Sequence, residues 1–165
     1  IRDVEDFPKK GIVFKDITPI LKDPKLSAEI VSQFCSTIPE NTTHIAGIES
    51  RGFLFGFPAA MKKDISFVLI RKKGKLPYKT VSINYALEYG TAEIEMHVDA
   101  VKPGDKVMIH DDLLATGGTA VAAARLIKAQ GAEIIGFSFV VELAFLNGRK
   151  LLEEFTSEIK SIVKY

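Results

Sequence analysis

The sequence contains one cysteine and no tryptophan. Because Cys35 has no partner in the chain, an intramolecular disulfide is excluded, and the fold depends on a hydrophobic core that 165 residues are long enough to bury. No histidine or other base accompanies Cys35 in a catalytic pattern, which favours a buried, small apolar residue over a reactive thiol. The absence of disulfide pairing is typical of a reducing compartment, and we expect a cytoplasmic protein.

Long hydrophobic runs and an excess of either charge are also missing. Apolar stretches such as 139–141 have the length of a strand and fall far short of the roughly 20 residues that a membrane helix needs. Lys and Arg number 22 against 21 Asp and Glu, which gives a formal net charge of +1. This near balance excludes a broad positive field that would hold a nucleic-acid backbone. We therefore expect neither a membrane nor a nucleic acid as a partner, and any phosphate site has to be local.

Apolar residues recur at helical spacing in three segments. Asp23 followed by Pro24 is a typical helix start. The apolar stripe that follows it comprises Leu26, Ile30, Phe34 and Ile38. A second helix is predicted over 52–63, where Pro58 should cause a kink or a later start. A third begins at Thr119 and ends near Gly131.

Short apolar segments are predicted to form buried strands at 44–48, 67–70, 106–110 and 134–141. With the helices between them they make two βαβ units. The prediction is therefore an α/β fold with a mostly parallel twisted sheet flanked by helices, in a single domain over residues 1–165. Ligands bind beyond the carboxyl ends of such strands, so we expect the chemistry in the loops after Ile48, Ile70 and His110.

Residues 92–99 alternate between apolar and polar side chains, the pattern of a half-exposed antiparallel strand. We expect this strand to pair with 82–87 as a hairpin, with its turn at 88–90. The wider region 71–98 is predicted to be a flexible loop and hairpin. Within it, residues 79–84 are expected to belong to a mobile lid that keeps water from a reactive centre.

The stretch VMIHDDLLATGGTA, residues 107–120, combines a strand, two acids, a loop of small residues and a helix start. Small residues allow successive backbone N–H groups to surround an anion, and the helix dipole adds to the attraction. The stretch is neither GxxxxGK[ST] nor GxGxxG. Its candidate ligand-binding residues are Asp111, Asp112, Ala115, Thr116, Gly117, Gly118 and Thr119.

The two aspartates are adjacent, and neighbours on a strand point to opposite faces, so they do not form the facing carboxylate pair of a glycosidase. Their side chains are suited to accept two hydroxyl groups beside the phosphate. A vicinal diol and a phosphate at this spacing describe a ribose 5-phosphate. The alternative is a solvated turn capped by an aspartate, and the order of strand, acids and small-residue loop favours the ligand site.

The acid pair with its TGGT loop resembles the phosphoribosyl-diphosphate signature of type I phosphoribosyltransferases. Further segments resemble the adenine phosphoribosyltransferases within that family. These segments are GIVFKDITPIL (11–21), GIESRGFLFG (47–56), LIRKKGKLP (69–77), LEYG (87–90) and VVEL (140–143). The resemblance covers nearly the whole chain and implies a Rossmann-like core with a small adenine-binding hood to which residues 1–20 contribute.

The resemblance implies transfer of a 5-phosphoribosyl group from phosphoribosyl diphosphate to adenine, which gives AMP and pyrophosphate in purine salvage. It also implies Mg²⁺ bound through the substrate, with no metal site made by the protein alone, and a homodimer. The implied catalytic residues are Glu88 and Arg51, with Tyr89 on the lid. The implied pyrophosphate contacts are Ser50, Arg51, Arg71, Lys72 and Lys75, with Lys73 left out. The implied adenine contacts are Val13, Phe14, Lys15 and Leu143.

Two positions depart from the family pattern. His110 stands where the strand is usually apolar, and we expect a satisfied core histidine without a chemical role. Lys15 stands where arginine is common, which leaves a main-chain contact possible. His44, His97 and His110 lack metal-ligand spacing. The family usually carries a helix before Arg2, so we expect residues to be missing ahead of Ile1.

Two alternatives stay open from the sequence. One is a phosphoribosyltransferase for another base, such as hypoxanthine, guanine or a pyrimidine, against which GIVFKDITP and VVEL argue. The other is a domain of the same fold that senses a nucleotide without turnover and regulates transcription. A sensor predicts an additional nucleic-acid-binding segment, and the sequence shows none.

Overall fold

The apolar segments fold into one central sheet in a computed structural model, which describes the main chain of residues 1–87 and 90–165 and the side chains of 1–86 and 90–165. In chain order, the strands are β1 (Arg2–Glu5), β2 (Val13–Asp16), β3 (His44–Ile48), β4 (Ser66–Lys72), β5 (Thr80–Leu87), β6 (Gly90–His97), β7 (Lys106–Leu114), β8 (Glu133–Glu142) and β9 (Ile159–Lys164). The helices are α1 (Thr18–Leu21), α2 (Pro24–Thr37), α3 (Gly52–Lys63), α4 (Gly118–Ala129) and α5 (Arg149–Leu152), with a 3₁₀ turn at Ala144–Leu146.

The central sheet is mostly parallel, as predicted. Among the described residues its strand order is β5-β6-β4-β3-β7-β8-β9. The strands from β4 to β9 in that order run parallel to one another, and β6 and β5 add an antiparallel edge beside β4. Because parallel strands end at the same edge, the loops that follow β3, β4 and β7 converge there.

Helix α2 begins as predicted, since the Asp23 carboxylate accepts hydrogen bonds from the backbone N–H groups of Lys25 and Leu26 at 2.9 and 3.1 Å. Three residues of the predicted apolar stripe, Ile30, Phe34 and Ile38, are buried. The fourth, Leu26, lies in the first turn of the helix and is 44% exposed. Cys35 is buried beside Phe34 in the cluster between α2 and α3, which confirms its structural role.

Helix α3 begins at Gly52, so the expectation of a later start was wrong. It runs through Pro58, which leaves the carbonyl of Leu54 without its usual partner in the helix. Burial of Phe55 and Ala59 against the sheet offsets that loss. No helix in the described part of the chain has both the length and the apolar character required to cross a bilayer.

Strand β6 differs from the prediction on its polar face. Glu95 was expected on the exposed face of this strand, yet it is 3% exposed. The reason is that the segment after β4 folds against the Glu95 side chain. The Glu95 carboxylate accepts hydrogen bonds from the backbone N–H groups of Lys75 and Leu76, each at 2.9 Å, which satisfies the buried charge.

The N-terminal residues form a unit beside the central sheet. Strands β1 and β2 pair only with each other in the described structure, with Val4 opposite Phe14. Asp16 closes this hairpin, because its carboxylate accepts from Arg2 and from the backbone N–H of Thr18, and these bonds lower the pKa of Asp16 to about 2. Ile17 then packs with Val140 at the main sheet. Residues 1–20 thus contain a small antiparallel unit beside the central sheet, and its role as an adenine-binding hood stays a prediction.

Candidate active site

A cavity of about 490 Å³ opens at the carboxyl ends of the parallel strands. Its floor is apolar, from Ile48, Ile70 and Ile94, and its walls are charged. The predicted residues that it brings together are Ser50, Arg51, Arg71, Lys72, Lys75, Asp111, Asp112 and Thr119. The loops after β3, β4 and β7 therefore meet where the sequence placed the chemistry.

Strand β7 is longer than predicted and carries both aspartates. It continues to Leu114 because β8 pairs with it along its whole length. On its other side β3 no longer pairs with β7 beyond His110, and Asp111 and Asp112 both line the cavity although neighbours on a strand alternate in direction.

Arg51 connects two parts of the site. Its Nε donates to the Oδ2 atom of Asp112 at 2.5 Å, and Asp112 is 5% exposed. The guanidinium carbon also lies 5.4 Å from the centre of the Phe14 ring, in cation–π geometry. Arg51 can take this position because it caps the start of α3, directly across from β7.

Asp111 is held tightly against the same helix start. A Cβ atom on Gly52 would lie 2.8 Å from the carbonyl oxygen of His110 and 3.1 Å from Asp111, so only glycine fits there. Burial and the neighbouring carboxylate of Asp112 raise the pKa of Asp111 well above its usual range. A hydroxyl-rich ligand or a cation at this position would stabilise the ionised form.

The small-residue loop forms a separate cradle of about 80 Å³ next to the main cavity, lined by residues 113–120 together with Asp111. Gly117 has a φ of +85°, which glycine adopts without strain, and it is the N-cap of α4. The loop therefore ends at the positive end of a 12-residue helix. Thr119 donates its hydroxyl hydrogen to the Tyr85 hydroxyl at 3.2 Å. The predicted phosphate loop has the shape and polarity that an anion requires.

The basic run that begins in the last residues of β4 divides into two groups in the structure. Arg71 donates to both carboxylate oxygens of Glu49, at 3.0 and 3.2 Å, and this pairing lowers the pKa of Glu49. Lys72 and Lys75 border the same cavity. Lys73 instead pairs with Glu93 at 2.7 Å, outside the residues that line the cavity.

The predicted adenine contacts lie on two elements. Phe14 is half-buried with its ring edge against Phe7, at 5.2 Å between centroids, and it faces Arg51. Lys15 turns away, because its Nζ pairs with Asp3 at 2.8 Å. Val13 is in β2 and 47% exposed.

Leu143 directly follows β8, and its N–H donates to the Leu114 carbonyl at 2.9 Å. The Leu143 side chain packs against the cluster that includes Val141.

Glu88 and Tyr89 lie outside the described residues. Two polar residues that line the cavity were not among the predicted site residues, Glu49 and Tyr85. Tyr85 could have been found, because it continues the inward-facing alternation of Val81 and Ile83 along β5. No local pattern in the sequence points to Glu49, because its pairing with Arg71 depends on the neighbouring strand β4.

His110 is a core residue, as expected, but its hydrogen bonds are only partly satisfied. It is 1% exposed and stacks on Phe34 at 4.4 Å, so it is a core residue. Its Nδ1 lies 3.4 Å from the Ser138 hydroxyl, but its Nε2 has no hydrogen-bond partner within the described residues. Burial lowers the pKa of His110 to about 3, so it is neutral near pH 7.

Comparison with known proteins identifies the family. A family model described as a phosphoribosyl transferase domain matches residues 16–160. An adenine phosphoribosyltransferase from Cytophaga hutchinsonii is 54% identical over 166 residues, with 100% of this chain and 92% of the relative covered. The chain belongs to the adenine phosphoribosyltransferase family.

Solved structures of the family share the fold. The enzyme from Thermoanaerobacter pseudethanolicus superposes with a TM-score of 0.95 at 48% identity, with 100% of this chain and 95% of that chain covered. The Saccharomyces cerevisiae enzyme, solved with adenine and an imino-altritol bisphosphate, has a TM-score of 0.91 at 36% identity and covers 98% and 93% of the two chains. The Trypanosoma brucei enzyme was solved with AMP, pyrophosphate and ribose 5-phosphate, and it has a TM-score of 0.84 at 28% identity over 96% and 73% of the chains.

Proposed function

We propose that the chain transfers the 5-phosphoribosyl group of phosphoribosyl diphosphate to adenine and releases AMP and pyrophosphate. The observation that carries the proposal is the position of Arg51. Its guanidinium lies between the Asp112 carboxylate of the ribose site and the Phe14 ring of the hood. A sugar at the aspartates and a base on the hood would therefore meet beside one cation.

The donor would be held at its phosphate and at its hydroxyl groups. The backbone N–H groups of loop 115–119 and the start of α4 suit the 5′-phosphate. The carboxylates of Asp111 and Asp112 suit the two ribose hydroxyls. Since Thr119 belongs to both cavities, the phosphate and the sugar would occupy adjoining spaces.

The leaving diphosphate would face the basic wall. Arg51, Arg71, Lys72 and Lys75 border that side of the cavity together with Ser50. Cations fixed beside the developing charge stabilise bond breaking at the anomeric carbon, which passes through an oxocarbenium-like state. Closure of the region 71–98 would keep water from that centre.

Mg²⁺ fits this donor set. The described residues contain no cluster of three or more His, Cys, Asp or Glu side chains that could hold a metal alone. Two aspartate carboxylates at the ribose site do supply hard oxygen ligands, and Mg²⁺ commonly completes its shell with substrate oxygens and water. When bound, the ion would neutralise the diphosphate, while Asp111 and Asp112 would help to hold it.

Adenine would stack between Phe14 and Leu143, with its edge read by main-chain groups of Val13 and Lys15. The Lys15 side chain is paired with Asp3, so the proposed contact with adenine would come from the main chain. Glu88 is proposed to handle the proton at the purine, with Tyr89 beside it on the lid. We further propose a cytoplasmic homodimer.

The test is conversion of radiolabelled adenine with phosphoribosyl diphosphate and Mg²⁺, compared with hypoxanthine, guanine and uracil. We expect AMP from adenine and little product from the other bases. If another base gave more product than adenine, that base would be the substrate and the proposal would be wrong. Folded protein that binds AMP but converts no base would support the sensor.

A further inference from the structure

The back of the phosphate loop is covered by a second segment of the chain, Asn147–Arg149. A Cβ atom on Gly148 would overlap the carbonyl oxygen of Ala115 and would lie 2.8 Å from both the amide nitrogen of Gly117 and the carbonyl carbon of Thr116. The atoms concerned are main-chain atoms of the loop, so no side chain could move aside. Gly148 has a φ of −58°, and glycine is therefore required here for space and not for its conformational freedom.

The next residue anchors this segment to the sheet. Arg149 donates to both oxygens of the Glu142 carboxylate, at 2.8 and 2.6 Å, and to the carbonyl of Ile159 at 2.9 Å. Glu142 is 3% exposed and also accepts from Ser161 at 2.6 Å. The guanidinium fork is therefore fixed on β8 and β9 at the same time.

The anchor is continuous with both predicted substrate sites. Glu142 is the last residue of β8 and directly precedes Leu143. The N–H of Leu143 donates to the carbonyl of Leu114, the residue immediately before the phosphate loop. The ends of β7 and β8, the loop and the segment behind it thus form one connected group of main-chain contacts.

We propose that Gly148, Arg149 and Glu142 form a clasp that holds loop 115–119 in its anion-binding shape. They are positioning residues: Gly148 packs on the main chain of the loop, Arg149 and Glu142 fix the segment of Gly148 to the sheet, and none of the three lines either cavity. The inference rests on the proposed function, since it assumes that the loop binds the 5′-phosphate. Displacement of the loop amides by a fraction of an ångström weakens several hydrogen bonds to that phosphate together.

The experiment measures the affinity of two probes by titration calorimetry, ribose 5-phosphate for the loop and magnesium pyrophosphate for the basic wall. The variants are Gly148→Ala, which pushes on the loop, and Arg149→Lys, which keeps the charge but loses the fork. The matched control is Arg125→Lys on α4, where Arg125 pairs with Glu154 at 3.3 Å and both side chains are more than half exposed.

We expect both clasp variants to weaken ribose 5-phosphate binding by about tenfold, with pyrophosphate affinity changed by less than about twofold. In turnover, KM for the donor should rise while kcat changes little, and Arg125→Lys should behave as wild type. If Gly148→Ala does not fold, Arg149→Lys decides the result.

Unchanged affinity for ribose 5-phosphate, or an equal loss for both probes, would overturn the clasp. If the wild type makes AMP and the clasp variants still bind ribose 5-phosphate normally, only the clasp is wrong. If the wild-type protein binds no ribose 5-phosphate, the assignment of the loop is wrong and the clasp falls with it.

Discussion

Protonation of Glu142 should destabilise the protein, because this buried carboxylate pairs with Arg149 and, at 3.6 Å, with Lys164. Arg149 is the main cause that lowers the pKa of Glu142, from 4.5 to about 2. The folded protein therefore binds the Glu142 proton more weakly than the unfolded chain does. The resulting stability is fully present above pH 4.5 and is lost as the pH falls through about 2.

The size of the effect follows from that difference in pKa. At 1.36 kcal/mol for each pKa unit, the ionised Glu142 with all of its partners contributes about 3 kcal/mol, and solvent screening at the partly exposed Arg149 reduces this to about 2 kcal/mol. Glu142→Gln removes the titration and leaves the guanidinium without its charged partner. Near neutral pH we therefore expect the variant to be less stable by about 2–3 kcal/mol.

The assay is urea unfolding followed by far-ultraviolet circular dichroism, since the chain has no tryptophan for fluorescence. The stability difference between wild type and Glu142→Gln should shrink by about half between about pH 6 and pH 3. Titration of the other acid-sensitive buried residues, such as Asp16 and His110, occurs in both proteins and cancels in the difference. The matched control is Glu154→Gln, whose exposed pair with Arg125 should contribute less than about 1 kcal/mol. A stability difference that does not change with pH would refute the reasoning.

Three further predictions concern residues around β7. Gly52→Ala should lower the free energy of unfolding, measured by chemical denaturation, by about 1–3 kcal/mol, because the new methyl group meets the main chain of β7. Activity should fall as well. Wild-type stability and activity in this variant would contradict the close approach of Gly52 to β7. Asp112→Asn should raise KM for the donor by about tenfold or more, with a much smaller effect on adenine, whereas equal effects in steady-state kinetics would contradict the ribose assignment. The pKa of His110 is lowered to about 3, so its contribution to stability falls as the pH drops below 6.5. His110→Gln should therefore flatten the pH dependence of the unfolding free energy between these values, and an unchanged profile would show that His110 is not the titrating group.

The parts of the fold that follow local rules could be predicted from the sequence. Asp23 and Pro24 alone are enough to predict the start of α2. The spacing of apolar residues predicts α3 and α4. The phosphate loop is likewise local, since its small residues and its helix start lie next to one another. The aspartates, the loop and the cations at the ends of β3 and β4 could be placed at one edge of the sheet because parallel strands end at the same edge.

The remainder depends on contacts between segments that are distant in the chain. Glu95 resembles a surface residue until β4 pairs with β6 and supplies the amide partners at Lys75 and Leu76. Strand β7 extends to Leu114 only because β8 lies beside it. Strand β9 was not predicted, although the β-branched residues Ile159, Ile162 and Val163 could have indicated a strand.

The pairing of Arg71 with Glu49 has a consequence for which anions can enter the cavity. The guanidinium is already neutralised by a carboxylate that is tethered to the neighbouring strand. A small monovalent ion such as chloride, with only one negative charge, would have to displace the Glu49 carboxylate from Arg71 in order to bind there. A polyanion that engages several cations at once can compensate for the exchange, so the protein should discriminate against the abundant simple salts of its surroundings.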